Sequence, residues 1–253
     1  MKYFVSSDIH GFYTEWITAL KNSGFDMDNP EHKIIVCGDL FDRGVETKKL
    51  QGFIMQLLKN GKIILIRGNH EDQAVELIEN FHKYIKNIKN THHYTNGTFQ
   101  TMLDLTGISF NEATKSIEKF KEKAYETDYF KHIIPTMLNY YETKNYVFVH
   151  SWVPLVGDYM GFNENWRNAS NIEWEKARWL DPVEAYRLKY YLKDKKLVFG
   201  HYHCSAFWAY KYPDRYSNFG ENACFEPFAT DEIIAIDSRV IISKKINVVV
   251  IDD

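Results

Sequence analysis

The segment Lys33 to Cys37 is an apolar run of strand length that breaks at Gly38 and delivers Asp39, Asp42 and Arg43 into the loop Gly38-Asp39-Leu40-Phe41-Asp42-Arg43-Gly44. Gly-Asp pairs are common turn residues, so this loop alone says little. The same grammar recurs after four more apolar runs, at Asp8-Ile9-His10-Gly11, Arg67-Gly68-Asn69-His70-Glu71, His150, and Gly200-His201-Tyr202-His203. One or two such loops are ordinary in a chain with ten histidines. Five of them call for a shared site. That requirement constrains the fold, because strands whose carboxyl ends meet at one edge run side by side, as in α/β architectures.

The intervening pattern agrees. Tyr3 to Ser7 reads as a buried strand, and Asp8 and His10 leave it at i and i+2, which face the same side of extended chain. Phe12 to Asn22 has apolar residues at Phe12, Trp16, Ile17 and Leu20 with Gly24 beyond, the spacing of a helix and its stop. Glu46 to Asn60 reads as a second helix, with Leu50, Phe53, Ile54, Leu57 and Leu58 on one stripe, and Lys62 to Arg67 as a third strand. From Asp72 to about Leu138 the pattern is mostly helical. Val75, Ile78, Phe81, His82 and Ile85 share a face, and Ser109-x-x-Glu112 is a capping box opening a helix with Ile117 and Phe120. The polar stretch Tyr94 to Thr101 interrupts this segment, with His92 and His93 beside it as solvated residues. We therefore expect one domain, 1–253, with a helical insertion over about 72–138 acting as a plain cover or as a lid that contacts substrate. Tyr146 to Val149 and Lys196 to Phe199 are further strands, and Asp181-Pro182-Val183-Glu184 is capping chemistry for a helix rather than a catalytic motif. Ile233 to Ile236, Val240 to Ile242 and Val248 to Ile251 read as strands closing a sheet, with no ligand cluster.

Composition narrows the classes. An apolar fraction of 45% over 253 residues is ample for a large core. The net charge of −3, with no basic block, gives no reason to expect a nucleic-acid or membrane partner. Three cysteines, Cys37, Cys204 and Cys224, lack Cys-x-x-Cys spacing, so neither a disulfide framework nor a thiolate zinc site is expected. Reduced thiols, an N-terminus running straight into a strand and no membrane-length apolar run lead us to expect a soluble, cytoplasmic protein.

Asp, His and Asn without thiolates suit Mn²⁺, Fe or Zn²⁺, and the donors are too many for one tetrahedral site. Two ions follow. A pair of ions ionises a water near neutral pH and clamps the attacking and leaving oxygens of an in-line displacement, the chemistry of phosphoester hydrolysis. His70, next to Asn69 and with Asp42 to orient it, is placed to protonate a leaving oxygen, and Arg43 offers planar donors to phosphate.

Asp8-x-His10-Gly11, Gly38-Asp39-x-x-Asp42-Arg43-Gly44, Gly68-Asn69-His70-Glu71, Val149-His150 and Gly200-His201 together resemble the signature of calcineurin-like metallophosphoesterases. Within them the chain is similar to the bacterial serine/threonine enzymes of the phosphoprotein phosphatase branch, through Tyr140 to Thr143, Asn96-Gly97-x-x-x-Thr101-Met102-Leu103 and Ile236-Asp237. The resemblance spans essentially the whole chain. It implies a four-layer α/β/β/α sandwich of two mixed sheets, with Asp8, His10 and Asp39 on one metal and Asp39, Asn69, His150 and His201 on the other. It also implies His70 and Asp42 as the acid pair and Arg43 and Asn69 on phosphate. Departures stand at Ser151-Trp152, where a small residue and glycine are usual, at Ser238-Arg239 after Asp237, and at His203, where proline is usual. His203 is a further candidate ligand of the first metal, or a group behind the ligands. Arg178, with Arg167 behind it, is the candidate for a second phosphate arginine.

Two substrate classes follow, a phosphorylated protein and a small phosphoester. The first reading is a serine/threonine protein phosphatase, from the arginine after Asp42. The alternative is a symmetrical dinucleoside polyphosphate hydrolase, for which Trp152, Trp166, Trp174, Trp179 and Trp208 offer stacking surfaces. A scaffold without activity would lack ligands, and none is missing.

Overall fold

The computed structural model describes residues 1–253, the side chain of Asp158 excepted. Its strands in chain order are β1 (Lys2–Ser6), β2 (His32–Cys37), β3 (Ile63–Ile66), β4 (Tyr141–Glu142), β5 (Tyr146–Phe148), β6 (Leu155–Val156), β7 (Gly161–Phe162), β8 (Lys196–Phe199), β9 (Phe228–Ala229), β10 (Ile233–Ala235) and β11 (Val249–Asp252). One sheet has the order β11-β1-β2-β3 and the other β4-β5-β8-β10-β9; β6 and β7 form a separate hairpin. In each large sheet three neighbours are parallel, β1-β2-β3 and β5-β8-β10, and antiparallel strands lie outside them.

Side-chain alternation along these strands builds the layers. Tyr3, Val5, Ile35, Cys37 and Ile66 of the first sheet meet Phe148, Val198 and Ile234 of the second in a buried core between the sheets. The alternate residues Phe4, Ile34, Val36, Ile63 and Leu65 point the other way, into a helical layer. That layer is built from α1 (Tyr13–Asn22), α2 (Thr47–Lys59), α3 (Asn69–Tyr84), α4 (His92–Thr95), α5 (Thr98–Thr106), α6 (Phe110–Lys115) and α7 (Ile117–Glu126). Val147, Val149, Leu197, Phe199, Ile233 and Ala235 face a second layer containing Trp152, Trp174 and Phe207. The order of layers is helix, sheet, sheet, helix. Burying each such aliphatic or aromatic side chain is worth about 1.5–3 kcal/mol, so the layering is held by the outward residues as much as by the inward ones.

Helix boundaries follow their chemistry. In α2 the buried stripe is Leu50, Ile54 and Leu57, while Glu46 lies outside the helix and accepts hydrogen bonds from the amide and hydroxyl of Thr14. In α3 the buried stripe is Ala74, Leu77, Ile78 and Phe81, with His82 exposed, and a non-helical Asn80 kinks the last turn. The Ser109–Glu112 capping box forms, but Ser116 splits the helix after it into α6 and α7. Asp181 caps the helix Pro182–Arg187 through the amides of Val183 and Glu184.

Three expectations are corrected. The run Val240 to Ile242 is not a strand: Val240–Ser243 forms one helical turn between Arg239 and Lys244, both left-handed. Ile233–Ala235 is not a closing edge, because β10 lies between β8 and β9 in the second sheet. Asp8 and His10 are not in extended chain; each takes a positive φ, near 52° and 50°. Among the described residues, no helix is long and apolar enough to cross a membrane.

Gly52 is exposed within α2, and a Cβ there would meet nothing within 4 Å. Gly52→Ala is therefore expected to stabilise the protein by about 0.5–1 kcal/mol, read as a higher urea midpoint; an unchanged or lower midpoint contradicts this helix.

Candidate metal centre

All six central parallel strands end at the same edge, and each delivers a polar residue: Asp8 after β1, Asp39 after β2, Asn69 after β3, His150 after β5, His201 after β8 and Asp237 after β10. Of the non-glycine residues with positive φ, Asp8, His10, Asp39, Asp42, Arg43 and His201 belong to this edge. Such conformations cost of order 1–3 kcal/mol each and persist where the surroundings over-determine them. Here the surroundings are tight. A Cβ on Gly200 would fall 2.1 Å from Asp8 Oδ2, one on Gly68 2.2 Å from Asp39 Oδ1, and one on Gly38 2.5 Å from His150 Nδ1. The glycines let backbone approach the carboxylates and imidazoles that converge there.

Asp39 is the centre of the cluster. Its Oδ1 is 3.4 Å from His150 Nε2, and its Oδ2 is 3.8 Å from Nε2 of both His10 and His70. His10–Asp39–His70 and Asp39–His150–His201 each bring one ligand atom per residue within 4.8 Å of the others, and Asp39 belongs to both. Asn69 Oδ1 lies 2.8 Å from His150 Nε2 and 3.1 Å from His201 Nδ1. Asp8 Oδ1 is 3.9 Å from His10 Nε2, while its Oδ2 accepts from the His201 amide and the Ser7 hydroxyl. Glu71 supports the edge from behind, accepting from the amides of Gly68, Asp39 and Leu40.

The donor set fits divalent ions. His150 Nδ1–H donates to the Cys37 carbonyl at 2.7 Å and His10 Nδ1–H to the Phe41 carbonyl at 2.9 Å. These contacts leave the Nε2 lone pairs facing the oxygens of Asp39, Asn69 and Asp8, the arrangement by which a second contact orients a metal-ligating imidazole. Lone pairs facing lone pairs need a cation between them. Burial lowers the pKa of His10, of His150 and of His201, the last to about 3 with His150's help, so these rings are neutral donors. Burial raises Asp8 well above the usual carboxylate range, with the charges of Asp237 and Asp39 adding to it. Asp237 is pushed up to about 6, by burial first.

His70 also pairs with Asp42. His70 Nδ1–H donates to Asp42 Oδ2 at 2.6 Å. Thr98 Oγ1 donates to the same oxygen at 2.7 Å, and the Asp42 amide donates to Thr101 Oγ1. Burial lowers His70, but Asp39's charge and the bond to Asp42 outweigh it, so the net shift is upward. Arg43 donates from NH1 to His10 Nε2 at 2.7 Å and from NH2 to His70 Nε2 at 3.1 Å, so its guanidinium lies at the mouth of the cluster.

Two expected site residues stand apart. His203, a candidate ligand, joins neither cluster; its Nε2–H donates to Asn218 Oδ1 at 2.7 Å, and its ring stacks on Tyr202. Arg178, a candidate phosphate donor, has Nε and NH2 on Asp72 and NH1 on Asn139, which makes it a strut, although its charge is felt at His150. Arg167 pairs with Glu142 and stacks over Trp166. One residue was missed as a site residue. Asp237 is buried against Asp8 and Asp39, and the signal was its place directly after the apolar run Ile233 to Ile236. Also unanticipated, His93 is fully buried rather than solvated.

Two sheets meeting at an edge of aspartates, histidines and asparagine define a metallophosphoesterase. The chain belongs to the calcineurin-like phosphoesterase family, whose model matches residues 1–205. Among curated relatives it is similar to the asymmetrical bis(5'-nucleosyl)-tetraphosphatase PrpE of Bacillus subtilis (strain 168), 29% identical over 133 residues, half of each chain. It is also similar to the symmetrical bis(5'-nucleosyl)-tetraphosphatase of Buchnera aphidicola subsp. Schizaphis graminum, 41% identical over 69 residues, 27% of this chain and 23% of that protein. The matches thus span about half, or less, of the length of these relatives. Among solved structures, a putative diadenosine tetraphosphatase aligns over 98% of this chain and 88% of its own at 14% identity and TM-score 0.49. A protein serine/threonine phosphatase from Saccharomyces cerevisiae aligns over 79% and 61% at 15% identity and TM-score 0.42.

Asp39→Asn removes the one carboxylate common to both clusters. Bound Mn²⁺ per chain, counted by atomic spectrometry after dialysis, is expected to fall by two; a count unchanged from the parent chain contradicts the shared role.

Proposed function

We propose that the protein hydrolyses phosphoesters with two divalent cations, Asp8, His10 and Asp39 holding one and Asp39, Asn69, His150 and His201 the other. The observation that carries this reading is the membership of Asp39 in both ligand clusters. The donors are carboxylate, imidazole and amide oxygen, which suit manganese, iron or zinc. When bound, such a pair supplies Lewis-acid polarisation of a phosphoryl oxygen and a water acidic enough to ionise near neutral pH.

The remaining groups are assigned by what they touch. His70 is the general acid: Asp42, itself held by the Thr98 hydroxyl, fixes its ring through Nδ1, and Nε2 is the atom that hands a proton to the leaving oxygen. Arg43 binds phosphate; with the His10 Nε2 lone pair given to a cation, its planar donors are free for phosphoryl oxygens. Asn69 serves phosphate as well as metal.

The first substrate reading is a phosphoserine or phosphothreonine peptide, supported by Arg43 following Asp42 beside the acid pair. A second reading, a dinucleoside polyphosphate, is favoured by a specific observation. Trp179 is half exposed, with its ring edge-on to His201 at 6.5 Å between centroids, and offers a surface on which a base can stack next to the metals. The names of the curated relatives support the same reading.

A panel of phosphoserine peptide, diadenosine tetraphosphate and a nitrophenyl phosphate, run with Mn²⁺, tests these assignments. Turnover of at least one is expected; none on any member would contradict phosphoester hydrolysis. Brisk cleavage of the dinucleotide, lost selectively in Trp179→Ala, decides for the second reading, whereas peptide turnover indifferent to Trp179 decides for the first. His70→Asn is expected to keep bound metal and to lose on the order of 10²- to 10⁴-fold on alkyl phosphates. The loss should be much smaller on the nitrophenyl ester, whose leaving group needs little protonation; equal losses would remove His70 from the acid role.

A further inference from the structure

A second convergence of ligand-type residues lies in the helical segment, outside the centre described above. Glu76 of α3 and His92 and His93 of α4 each bring a ligand atom within 4.8 Å of the others. Adjacent residues of a helix point about 100° apart, so two neighbouring histidines do not ordinarily face one target. Here their ring centroids are 3.9 Å apart, with Tyr84 edge-on to both. His93 is fully buried, yet neither of its ring nitrogens has a hydrogen-bond partner, and Glu76 Oε2 has none. Glu76 Oε2 approaches His93 Nε2 to 2.5 Å without hydrogen-bond alignment, while Glu76 Oε1 accepts from the Tyr84 hydroxyl. Buried polar atoms without aligned partners are costly, and three of them meet at one point.

We propose that Glu76, His92 and His93 form a third divalent-cation site, of the zinc class, distinct from the centre organised by Asp39. Two imidazoles and a carboxylate are a zinc ligand set that leaves one position for water, and a cation among them satisfies His93 and Glu76 Oε2 together. Tyr84 holds the other carboxylate oxygen, a supporting contact of the kind that orients metal ligands. The ion's effect on the rest of the molecule follows from what comes next in the chain. Asn96 donates to Gln73 Oε1 of α3, Gly97 is so close that a Cβ would lie 2.6 Å from the Arg43 amide, and the Thr98 hydroxyl bonds Asp42. Fastening α4 to α3 therefore fixes the loop that positions Asp42 and Arg43. That consequence rests on the roles proposed above for those two residues, whereas the binding of the ion does not.

The test counts zinc per chain after dialysis in four proteins: the parent chain, Asp39→Asn, His92→Ala, and the double variant. His92 is exposed, so its substitution leaves the core intact, and far-UV circular dichroism verifies the fold. The count is expected to fall by one on adding His92→Ala in both backgrounds, from about one to none in Asp39→Asn. A chelator competition on Asp39→Asn should show the remaining zinc weakened by about 100-fold or more in both the His92→Ala and Glu76→Gln additions. Counts and affinities indifferent to His92 and Glu76 overturn the third site. A count that falls with His92→Ala but not with Asp39→Asn overturns the shared-carboxylate centre and leaves the third site standing.

Discussion

The structure depends on one buried carboxylate placed where two sets of imidazoles converge. Asp39 follows β2 directly, is nearly inaccessible to solvent, and lies within 4 Å of His10, His70 and His150. Its presence dictates the polarity of everything nearby. Backbone carbonyls take the Nδ1 protons of His10 and His150, so that lone pairs rather than N–H groups point inward. Glu71 takes the amides of Gly68, Asp39 and Leu40, and the His70 amide donates to Asp39 Oδ1 at 3.1 Å. Such a collection of acceptors is stable only with positive charge among them, part of which the Arg43 guanidinium supplies.

The geometry has a conformational cost that the sheets bear. Six residues of the edge hold left-handed backbone, and three glycines leave room for side chains to crowd their α-carbons. None of this is compatible with a loosely held loop. The parallel strands carry it, anchored by apolar residues that pack alternately into the core between the sheets and into the helical layers. Ridding the loops of strain would stabilise the chain and scatter the ligands, a conflict common at functional sites.

Much of this was legible in the residues. Five apolar runs ending in Asp, His or Asn pointed to parallel strands and a common edge, and those strands and that edge are present. The sixth, ending in Asp237, is hidden because the apolar, β-branched runs on either side of it, Ile233 to Ile236 and Val240 to Ile242, read as consecutive strands closing a sheet. In fact Arg239 and Lys244, both left-handed, bracket a single helical turn, a tertiary outcome that local propensity opposes. His203 and Arg178 were read from their neighbours in sequence. Asn218 and Asp72, fifteen and 106 positions away, decide where their side chains are held, and no periodicity carries that information. The burial of His93 was hidden for the same reason: two polar residues in a polar stretch give no sign that Glu76 and Tyr84 of the preceding helix close over them.

The central claim is that one carboxylate serves two ions, and anomalous X-ray scattering from crystals of the intact chain grown with Mn²⁺ addresses it directly. The account predicts two anomalous peaks at the strand edge, roughly 3.5–4 Å apart, with Asp39 contributing an oxygen to each. A single peak, or two peaks of which only one touches Asp39, would contradict it.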